Sequence, residues 1–514
     1  MRRYTIAVLV LLATVATAVA FISDTIPGFG VVYAPPATGT YAYNSFVPAN
    51  TPGFSYTDPV FNQTVRRLTT DHGKDDIYGR NMWWNANETR YLHATAAGTL
   101  SVISVATGVV THSGIPSGGP FAADAGFDPV DPNALYYYGA NGIHRVTLQA
   151  SPPGFWTDAL YWAPPGGASL NKLGGSINWL DRTGRYMVVR YGPEPSVYVY
   201  DRQNLAAGPY ANPIDGHYVD SPCNSYVGIS PDAQYIVGYC SSNGPNFGPD
   251  GEGVSWQLNH VARTVATTPN VFWTLCGGHG AFISPSDGRD YMVVANCYDL
   301  NQLWRVDITN NAAGLDNVQQ KALPNNRLLI EFFTWHEAVH IATVAQGDWA
   351  FVSTEDGTDT LNSGTPDPNG KITPWHPYRQ EIIQVNVITP AIRRLAHHRS
   401  RFFPNCNSPY PGYCNYYNQP RVSVGWSGKV VGFASNFNQL GGDSTGVVDI
   451  YALPLPQQCG PCQVEYCTGV EIGCRFLGTC GTGGCCQYTC GVEIPACIDP
   501  QCPPNVCGGC GGGF

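Results

Sequence analysis

Residues 336–340 read His-Glu-Ala-Val-His, a pattern whose residue types and spacing could hold a zinc ion. In a helix, this spacing brings both imidazoles to one metal and places the glutamate beside the metal-bound water, as in a zinc protease. The residues lie, however, where six other segments of the chain predict a strand entering a hairpin. In a strand, His336 and His340 share one face and Glu337 takes the other. We therefore interpret the motif as coincidental and predict a strand over residues 336–343.

Polar residues also precede the hairpins of the other segments, and they indicate a binding chemistry. The candidates for ligand binding are Asn81, Asp124, Asn224, His340 and Arg401. Imidazole and amide groups could hold one divalent metal, and the set predicted to do so is His279, His336, His398 and Gln419. Arg399 and Arg421 are the candidates for catalysis, because with Arg401 they could neutralise the carboxylate of an acidic sugar. A channel lining that only hydrogen-bonds water would use the same residue types.

Seven segments of the chain share one pattern, which is a short apolar strand, a turn, and a second strand rich in Tyr, Val and Phe. They begin at Met82, Gly126, Ile177, Tyr226, Ala281, Val339 and Arg421. The starts are mostly about fifty residues apart, the length of a four-stranded propeller blade. We predict an all-β fold, a seven-bladed β-propeller over residues 31–455, with six or eight blades as alternatives. The polar residues named above should then meet at the mouth of its central channel.

Two stretches of the chain predict how the ring of blades closes. TVRRLTTDHG, from residue 64, resembles AIRRLAHHRS, from residue 391, which lies between the sixth and seventh repeats. We predict that the first stretch supplies an outermost strand and completes the blade begun by the C-terminal repeat. Such a closure removes the open seam of the sheet ring.

The N-terminus and the composition indicate an exported protein. Two arginines precede a short apolar run, and Ala18-Val19-Ala20 fits a cleavage site, so residues 1–20 are predicted to be a signal peptide. No later segment is apolar for long enough to span a membrane. The net charge of −10 gives no reason to expect nucleic acid as a partner. The predicted location is extracellular or at the cell surface, and the predicted partner is a glycan or an extracellular protein.

Eighteen cysteines fit an oxidising location. Six lie in the predicted propeller and are paired by proximity in the sequence as Cys223–Cys240, Cys276–Cys297 and Cys406–Cys414. The other twelve lie between Cys459 and Cys510 and repeat at an offset of 23 residues, from Cys467 to Cys490. Residues 456–514 are therefore predicted to be a module of two disulfide-rich units. Zinc binding by its two C-x-x-C pairs is the alternative.

The stretches GGHGAFISPSDGRDYMVV and QPRVSVGWSGKVVGFASN, with the histidine-rich sixth repeat, resemble blades of secreted TolB-type and oligogalacturonate-lyase-like propellers. The resemblance implies a propeller fold. It also implies a metal held by His and Gln at the channel mouth, with Arg or His assisting β-elimination from a uronate. His279, His336 and Gln419 occupy the positions that would match these ligands. The chain departs from the family in the His-Glu-Ala-Val-His context.

Two functions follow from this sequence. The first is an extracellular propeller that binds or displays a glycan or protein at the cell surface or matrix. The alternative is a metal-dependent polysaccharide lyase that cleaves a uronate-containing glycan by β-elimination, with one divalent metal at the channel mouth. Propellers host both functions, so the fold does not decide whether the protein is an enzyme.

Overall fold

A computed structural model describes the chain in stretches. They are residues 22–24, 48–58, 61–71, 79, 81–95, 98–117, 125–150, 154–171, 177–192, 196–215, 226–239, 253–275, 280–295, 302–331, 340–345, 347–354, 378, 380–400, 419–437, 448–455, 475–476 and 488–489. The chain divides into two compact units, Phe21–Pro454 and a second made of Met1–Ala20 with Leu455–Phe514. In the second unit, Arg475–Phe476 pairs antiparallel with Tyr488–Thr489. All eighteen cysteines lie outside the described residues, so the disulfide pairs, the cysteine-rich module and the domain boundaries stay predictions.

The larger unit is an all-β, seven-bladed propeller, which confirms the predicted fold class. Blade 1 contains β4 (Arg90–Ala94), β5 (Thr99–Ser104) and β6 (Val110–Pro116); blade 2 contains β7 (Gly126–Phe127), β8 (Ala134–Gly139), β9 (Gly142–Leu148) and β10 (Trp156–Trp162). Blade 3 contains β11 (Leu170–Asn171), β12 (Tyr186–Tyr191) and β13 (Ser196–Asp201). Blade 4 contains β14 (Tyr226–Ile229), β15 (Tyr235–Tyr239), β16 (Gly253–Asn259), β17 (Thr264–Val265) and β18 (Asn270–Trp273).

The remaining blades complete the ring. Blade 5 contains β19 (Gly280–Ile283), β20 (Tyr291–Ala295), β21 (Gln302–Asp307) and β22 (Arg327–Glu331). Blade 6 contains β23 (His340–Thr343), β24 (Trp349–Ser353), β25 (Glu381–Asn386) and β26 (Ile392–His397), with β1 (Ile22–Asp24) paired outside β26. Blade 7 contains β27 (Val422–Val424), β28 (Val430–Ser435), β29 (Asp449–Pro454), β3 (Thr64–Arg67) and β2 (Ser55–Thr57). The helices among the described residues are α1 (Asn317–Lys321) and three 3₁₀ helices, Asn81–Trp83, Pro165–Gly167 and Arg202–Ala207. Within the described stretches, no helix is long and apolar enough to cross a membrane.

The first hairpin of each blade defines its lower end, and the start of the innermost strand defines its upper end. In blade 7, the turn at this hairpin contains Ser427-Gly428, and Gly428 has a φ of 74°. That conformation favours glycine, and a Cβ there would also lie 2.7 Å from a methyl of Val344. Turn residues and alternating strands thus position the hairpins where the sequence predicts them.

The ring closes as predicted from the repeated stretches. Strand β3, from the N-terminal part of the chain, pairs antiparallel with β29, with Tyr451 opposite Arg67. The guanidinium of Arg67 donates a hydrogen bond to Asp449, and both side chains are almost fully buried. At the lower end, the carboxylate of Glu88 in blade 1 also accepts hydrogen bonds from the backbone N–H of Lys429 at 2.7 Å and of Val430 at 3.1 Å in blade 7. Backbone pairing and buried polar contacts therefore join the two ends of the ring.

The innermost part of blade 1 is a 3₁₀ helix where a strand was predicted. The side chain of Asn81 explains the difference, because its Nδ2 donates to the carbonyl oxygens of Thr343 at 2.8 Å and Val424 at 3.2 Å. Its Oδ1 accepts from Nδ2 of Asn178 at 2.9 Å. One buried side chain thus links blades 1, 3, 6 and 7 across the axis.

The axis is filled near the lower end. Met82, Trp179, Ala345 and Trp426, from blades 1, 3, 6 and 7, belong to one buried apolar cluster. The guanidinium of Arg182 in blade 3 reaches the carbonyl oxygen of Ala345 at 3.5 Å. Among the described residues, side chains from four blades thus meet at the lower end of the propeller.

Two acidic side chains share a site between the lower ends of blades 4 and 5. The hydroxyl of Ser284 donates to Asp290, which is buried, and the hydroxyl of Ser230 donates to Asp232 at 2.9 Å. Burial, and then the charge of Asp232, raise the pKa of the Asp290 carboxyl to about 8. The folded protein therefore holds a proton near neutral pH that the unfolded chain has released.

We expect Asp290→Asn to stabilise the protein at neutral pH. Between pH of about 4 and about 8, wild-type stability should fall as pH rises, by at most about 1.4 kcal/mol per pH unit, because only the folded state keeps the proton. The amide cannot lose a proton, so the free energy of unfolding of the variant should depend less on pH in this window. Urea unfolding of both proteins at several pH values measures the difference. If the free energy of unfolding had the same pH dependence in the wild type and in Asp290→Asn, the assignment of the proton to Asp290 would be wrong. Asp232→Asn should give a pH dependence between those of the two proteins.

Candidate functional site

The upper ends of blades 6 and 7 hold most of the described polar residues that the sequence singles out. Strand register brings them together, because His340 pairs with Ser353, and Glu381 pairs with His397. The starts of β23 and β25 therefore meet the ends of β24 and β26 at one end of blade 6. Arg421 immediately precedes β27 at the same end of blade 7. We call Glu381, Arg394, His397, His398 and Arg399 the upper cluster; each of these side chains is at most 2% exposed.

A bidentate ion pair forms the centre of the upper cluster. Nε of Arg394 donates to Oε2 of Glu381 at 2.7 Å, and Nη2 donates to Oε1 at 2.6 Å. Burial alone would raise the pKa of Glu381, but the hydrogen bonds and charge of Arg394, assisted by His397, outweigh it and lower that pKa. The guanidinium also lies over the rings of Phe61 at 5.3 Å and Tyr378 at 5.4 Å. Glu381 is thus held as a carboxylate inside the blade.

His398 is fixed by hydrogen bonds at both ring nitrogens. Its Nε2 lies 2.8 Å from the carbonyl oxygen of Thr354, and its Nδ1 accepts from the backbone N–H of Ser400 at 3.0 Å. Nε2 must therefore carry the proton. Burial lowers the pKa of the imidazole to about 3, so the ring is neutral. In this arrangement, neither nitrogen presents a lone pair to a metal ion.

The two arginines predicted for catalysis are both buried at the upper end. Arg399 adopts a φ of 59°, which is uncommon for a residue with a side chain. Burial lowers the pKa of Arg421 to about 9. The backbone N–H of Arg421 donates to the carbonyl oxygen of Gln419 at 2.8 Å. The structure therefore places Arg399 beside His398 and Arg421 beside Gln419, on neighbouring blades.

The predicted metal set is described only in part. Oε1 of Gln419 is buried and has no hydrogen-bond partner among the described residues, so it could serve as a ligand, whereas the nitrogens of His398 are occupied. His279 and His336 lie outside the described residues. Within the described stretches, no group of three or more His, Cys, Asp or Glu side chains could hold a metal. The metal site stays a prediction that depends on His279 and His336.

The predicted ligand-binding residues are also described only in part. His340 begins a strand, and its ring is buried, which confirms the strand prediction for His340–Thr343; residues 336–339 lie outside the described stretches. Asn81 is buried at the axis, where its amide hydrogen-bonds within the protein. Asp124, Asn224 and Arg401 lie outside the described residues.

Glu381, Arg394 and His397 are not among the site residues predicted from the sequence. Arg394 and His397 belong to the stretch AIRRLAHHRS, of which only His398 and Arg399 were predicted to be site residues. The usable signal was the charge of Arg394 in a strand of a largely apolar blade, because a buried charge requires a partner of opposite charge. Glu381 gave no such signal, since one acidic residue at the start of a strand is common.

The chain was compared with known proteins. It matches no family model, and no curated protein matches it. Among solved structures, it is similar to an oligogalacturonate lyase from Vibrio parahaemolyticus, with 13% identity, coverage of 78% of this chain and 96% of that chain, and a TM-score of 0.47. It is also similar to the β-propeller domain of Cps50 (Swd1) from Myceliophteria thermophila, with 8% identity, coverage of 73% and 99%, and a TM-score of 0.33. The propeller predicted by resemblance is confirmed by the seven blades of the chain itself; likenesses this low carry no conclusion about activity.

Proposed function

We propose that this protein is a secreted propeller that binds an acidic glycan at the upper ends of blades 6 and 7. The observation that carries the proposal is the concentration of buried arginine there, with Arg394, Arg399 and Arg421 each 1% exposed. Both oxygens of Glu381 are bound by Arg394, and the guanidinium groups of Arg399 and Arg421 are buried at the same end.

A carboxylate ligand suits this charge. Taking a guanidinium out of water has an electrostatic cost that a bound anion reduces. Guanidinium groups also bind carboxylates through two parallel hydrogen bonds, which gives orientation as well as attraction. At the lower end, the described side chains of four blades form a buried apolar cluster, which offers no charge to such a ligand. A uronate-rich polysaccharide supplies carboxylates on an otherwise uncharged polymer.

We expect the protein to bind polygalacturonate and not a neutral polymer such as dextran. Arg421→Gln should weaken binding by at least about tenfold, because a hydrogen bond to a charged group contributes about 1.5–3 kcal/mol. Added salt should weaken wild-type binding as well. Calorimetric titration measures both effects, and circular dichroism checks the fold of the variant.

Two further variants make this test decisive. Arg145→Gln removes the same charge from an exposed ion pair in blade 2 and should leave binding unchanged. Gln419→Glu adds a negative charge two residues from Arg421 at a half-buried position and should weaken binding. Wild-type affinity in both Arg421→Gln and Gln419→Glu would contradict the proposal.

The alternative, a metal-dependent lyase, rests on His279, His336, His398 and Gln419 as predicted ligands. Both nitrogens of His398 are hydrogen-bonded within the protein, so a metal would depend on His279, His336 and Gln419. A divalent metal held by these three would act as a Lewis acid on the uronate carboxylate when bound. Metal content of the purified protein and ultraviolet absorbance of unsaturated uronate products test this function. Secretion is tested separately, by sequencing the N-terminus of the exported protein.

A further inference from the structure

A cavity lies at the lower end of blade 5, where two arginines of its wall reach the turn of blade 6, away from the upper cluster. Its volume is about 490 Å³, and its walls include Arg305, Arg327, Leu323, Pro324 and Asn325. The two arginines are neighbours because Arg305 of β21 pairs with Arg327 of β22. The strand register therefore places two guanidinium groups in one cavity.

Both guanidinium groups hydrogen-bond to backbone carbonyl oxygens. Arg305 donates to Val387 at 2.6 Å and, through Nε and Nη2, to Asn325 at 3.1 and 2.7 Å. Arg327 donates through Nη1 to the carbonyl oxygen of Ile388 at 3.0 Å. These bonds anchor both side chains to the turn of blade 6 and to the chain segment before β22. Because a carbonyl oxygen carries no net charge, these hydrogen bonds do not neutralise the positive charge of either arginine.

Among the residues that the structure describes, the charge of the cavity has no acidic counterpart. Among the described residues, neither Arg305 nor Arg327 forms an ion pair, and the buried Nε of Arg327 has no hydrogen-bond partner. The nearby carboxylate of Asp307 is bound instead by Asn325 at 2.9 Å and by Arg289 at 3.3 Å. Burial, and then the charge of Arg305, lower the pKa of Arg327. An anion bound between the two guanidinium groups would offset the cost of burying Arg327 and the repulsion between the two positive charges.

We propose that this cavity binds a sugar-sized organic anion, with its carboxylate or sulfate group between Arg305 and Arg327. The volume lies in the range of small-molecule sites and is far larger than a bare ion needs. Leu323 and Pro324 offer an apolar wall for the ring of such a ligand. This site is separate from the upper cluster and does not depend on the function proposed above.

Calorimetric titration of the full chain with glucuronate and with glucose 6-sulfate tests this site, and glucose is the neutral control. We expect each anion to bind and glucose not to bind. Arg327→Gln should weaken binding of the anions at least about tenfold, because it removes one of two charge-assisted contacts. Arg145→Gln, which removes the same charge from an exposed pair, should leave the affinity unchanged. Leu323→Trp, which fills the cavity and keeps both arginines, should abolish binding at this site even if Arg327→Gln folds poorly.

The titrations separate this site from the upper one. Loss of binding in Arg421→Gln with wild-type affinity in Arg327→Gln and Leu323→Trp would overturn the cavity site and leave the upper one in place. Loss in Arg327→Gln and Leu323→Trp alone would support the cavity site and speak against the upper one. Inorganic sulfate that binds as tightly as glucose 6-sulfate would overturn the sugar-sized ligand.

Discussion

Replacing Asp449 with asparagine is expected to lower the free energy of unfolding by about 3–5 kcal/mol, because it leaves Arg67 buried without its carboxylate. Asp449 accepts from the guanidinium of Arg67 and, through Oδ1, from the hydroxyl of Thr69 at 3.0 Å. The contact joins β3 to β29, where the N-terminal strand closes the ring. Urea unfolding measures the loss, and hydrogen exchange should show faster opening of the amides in β3.

A matched variant distinguishes the effect of weakening the ring closure from the effect of losing any one ion pair. Arg145→Gln breaks an ion pair with Asp131 in which both side chains are partly exposed. Such pairs contribute about 0–1 kcal/mol, so this variant should unfold close to wild type. Equal losses in Asp449→Asn and Arg145→Gln, or unchanged exchange in β3, would contradict the role of the buried pair in closure.

The second large effect is expected in the upper cluster. Glu381→Gln should lower the free energy of unfolding by about 3–5 kcal/mol, because it leaves the guanidinium of Arg394 buried beside an amide. The pKa of Glu381 is lowered in the folded protein, so its stabilising effect is present above the pKa of the unfolded chain. This stabilisation should be lost as the pH falls through the pKa of Glu381 in the folded protein. Urea unfolding near neutral and at acid pH should therefore show a difference that shrinks in acid.

A double-mutant cycle isolates this pair. Arg394→Gln alone should also destabilise, because it leaves the carboxylate of Glu381 buried without its partner. The double variant removes both charges. Its decrease in the free energy of unfolding should be clearly smaller than the sum of the decreases in the two single variants. Additive losses would show that the two side chains do not stabilise each other.

The fold follows from features that are local in the sequence. Alternating apolar residues on either side of glycine-containing turns specify hairpins, and a hairpin repeated about every fifty residues specifies blades. The closure was also predictable, since TVRRLTTDHG resembles the stretch AIRRLAHHRS that follows the sixth repeat. The 3₁₀ helix at Asn81 was not predictable, because its cause is a set of hydrogen bonds to Thr343 and Val424, far away in the chain.

The sites depended on tertiary structure to a greater degree. The sequence by itself predicted that His398 and Arg399 lie at the same end of the propeller as the start of the seventh repeat. Only the folded chain decided that Glu381 binds Arg394, since both charges are buried and the register of β25 and β26 makes them neighbours. It also decided that Arg305 and Arg327 share one cavity, because pairing of β21 with β22 brings together residues 22 positions apart. Periodicity fixes which face of a strand a side chain takes, whereas strand pairing fixes the charges that it meets.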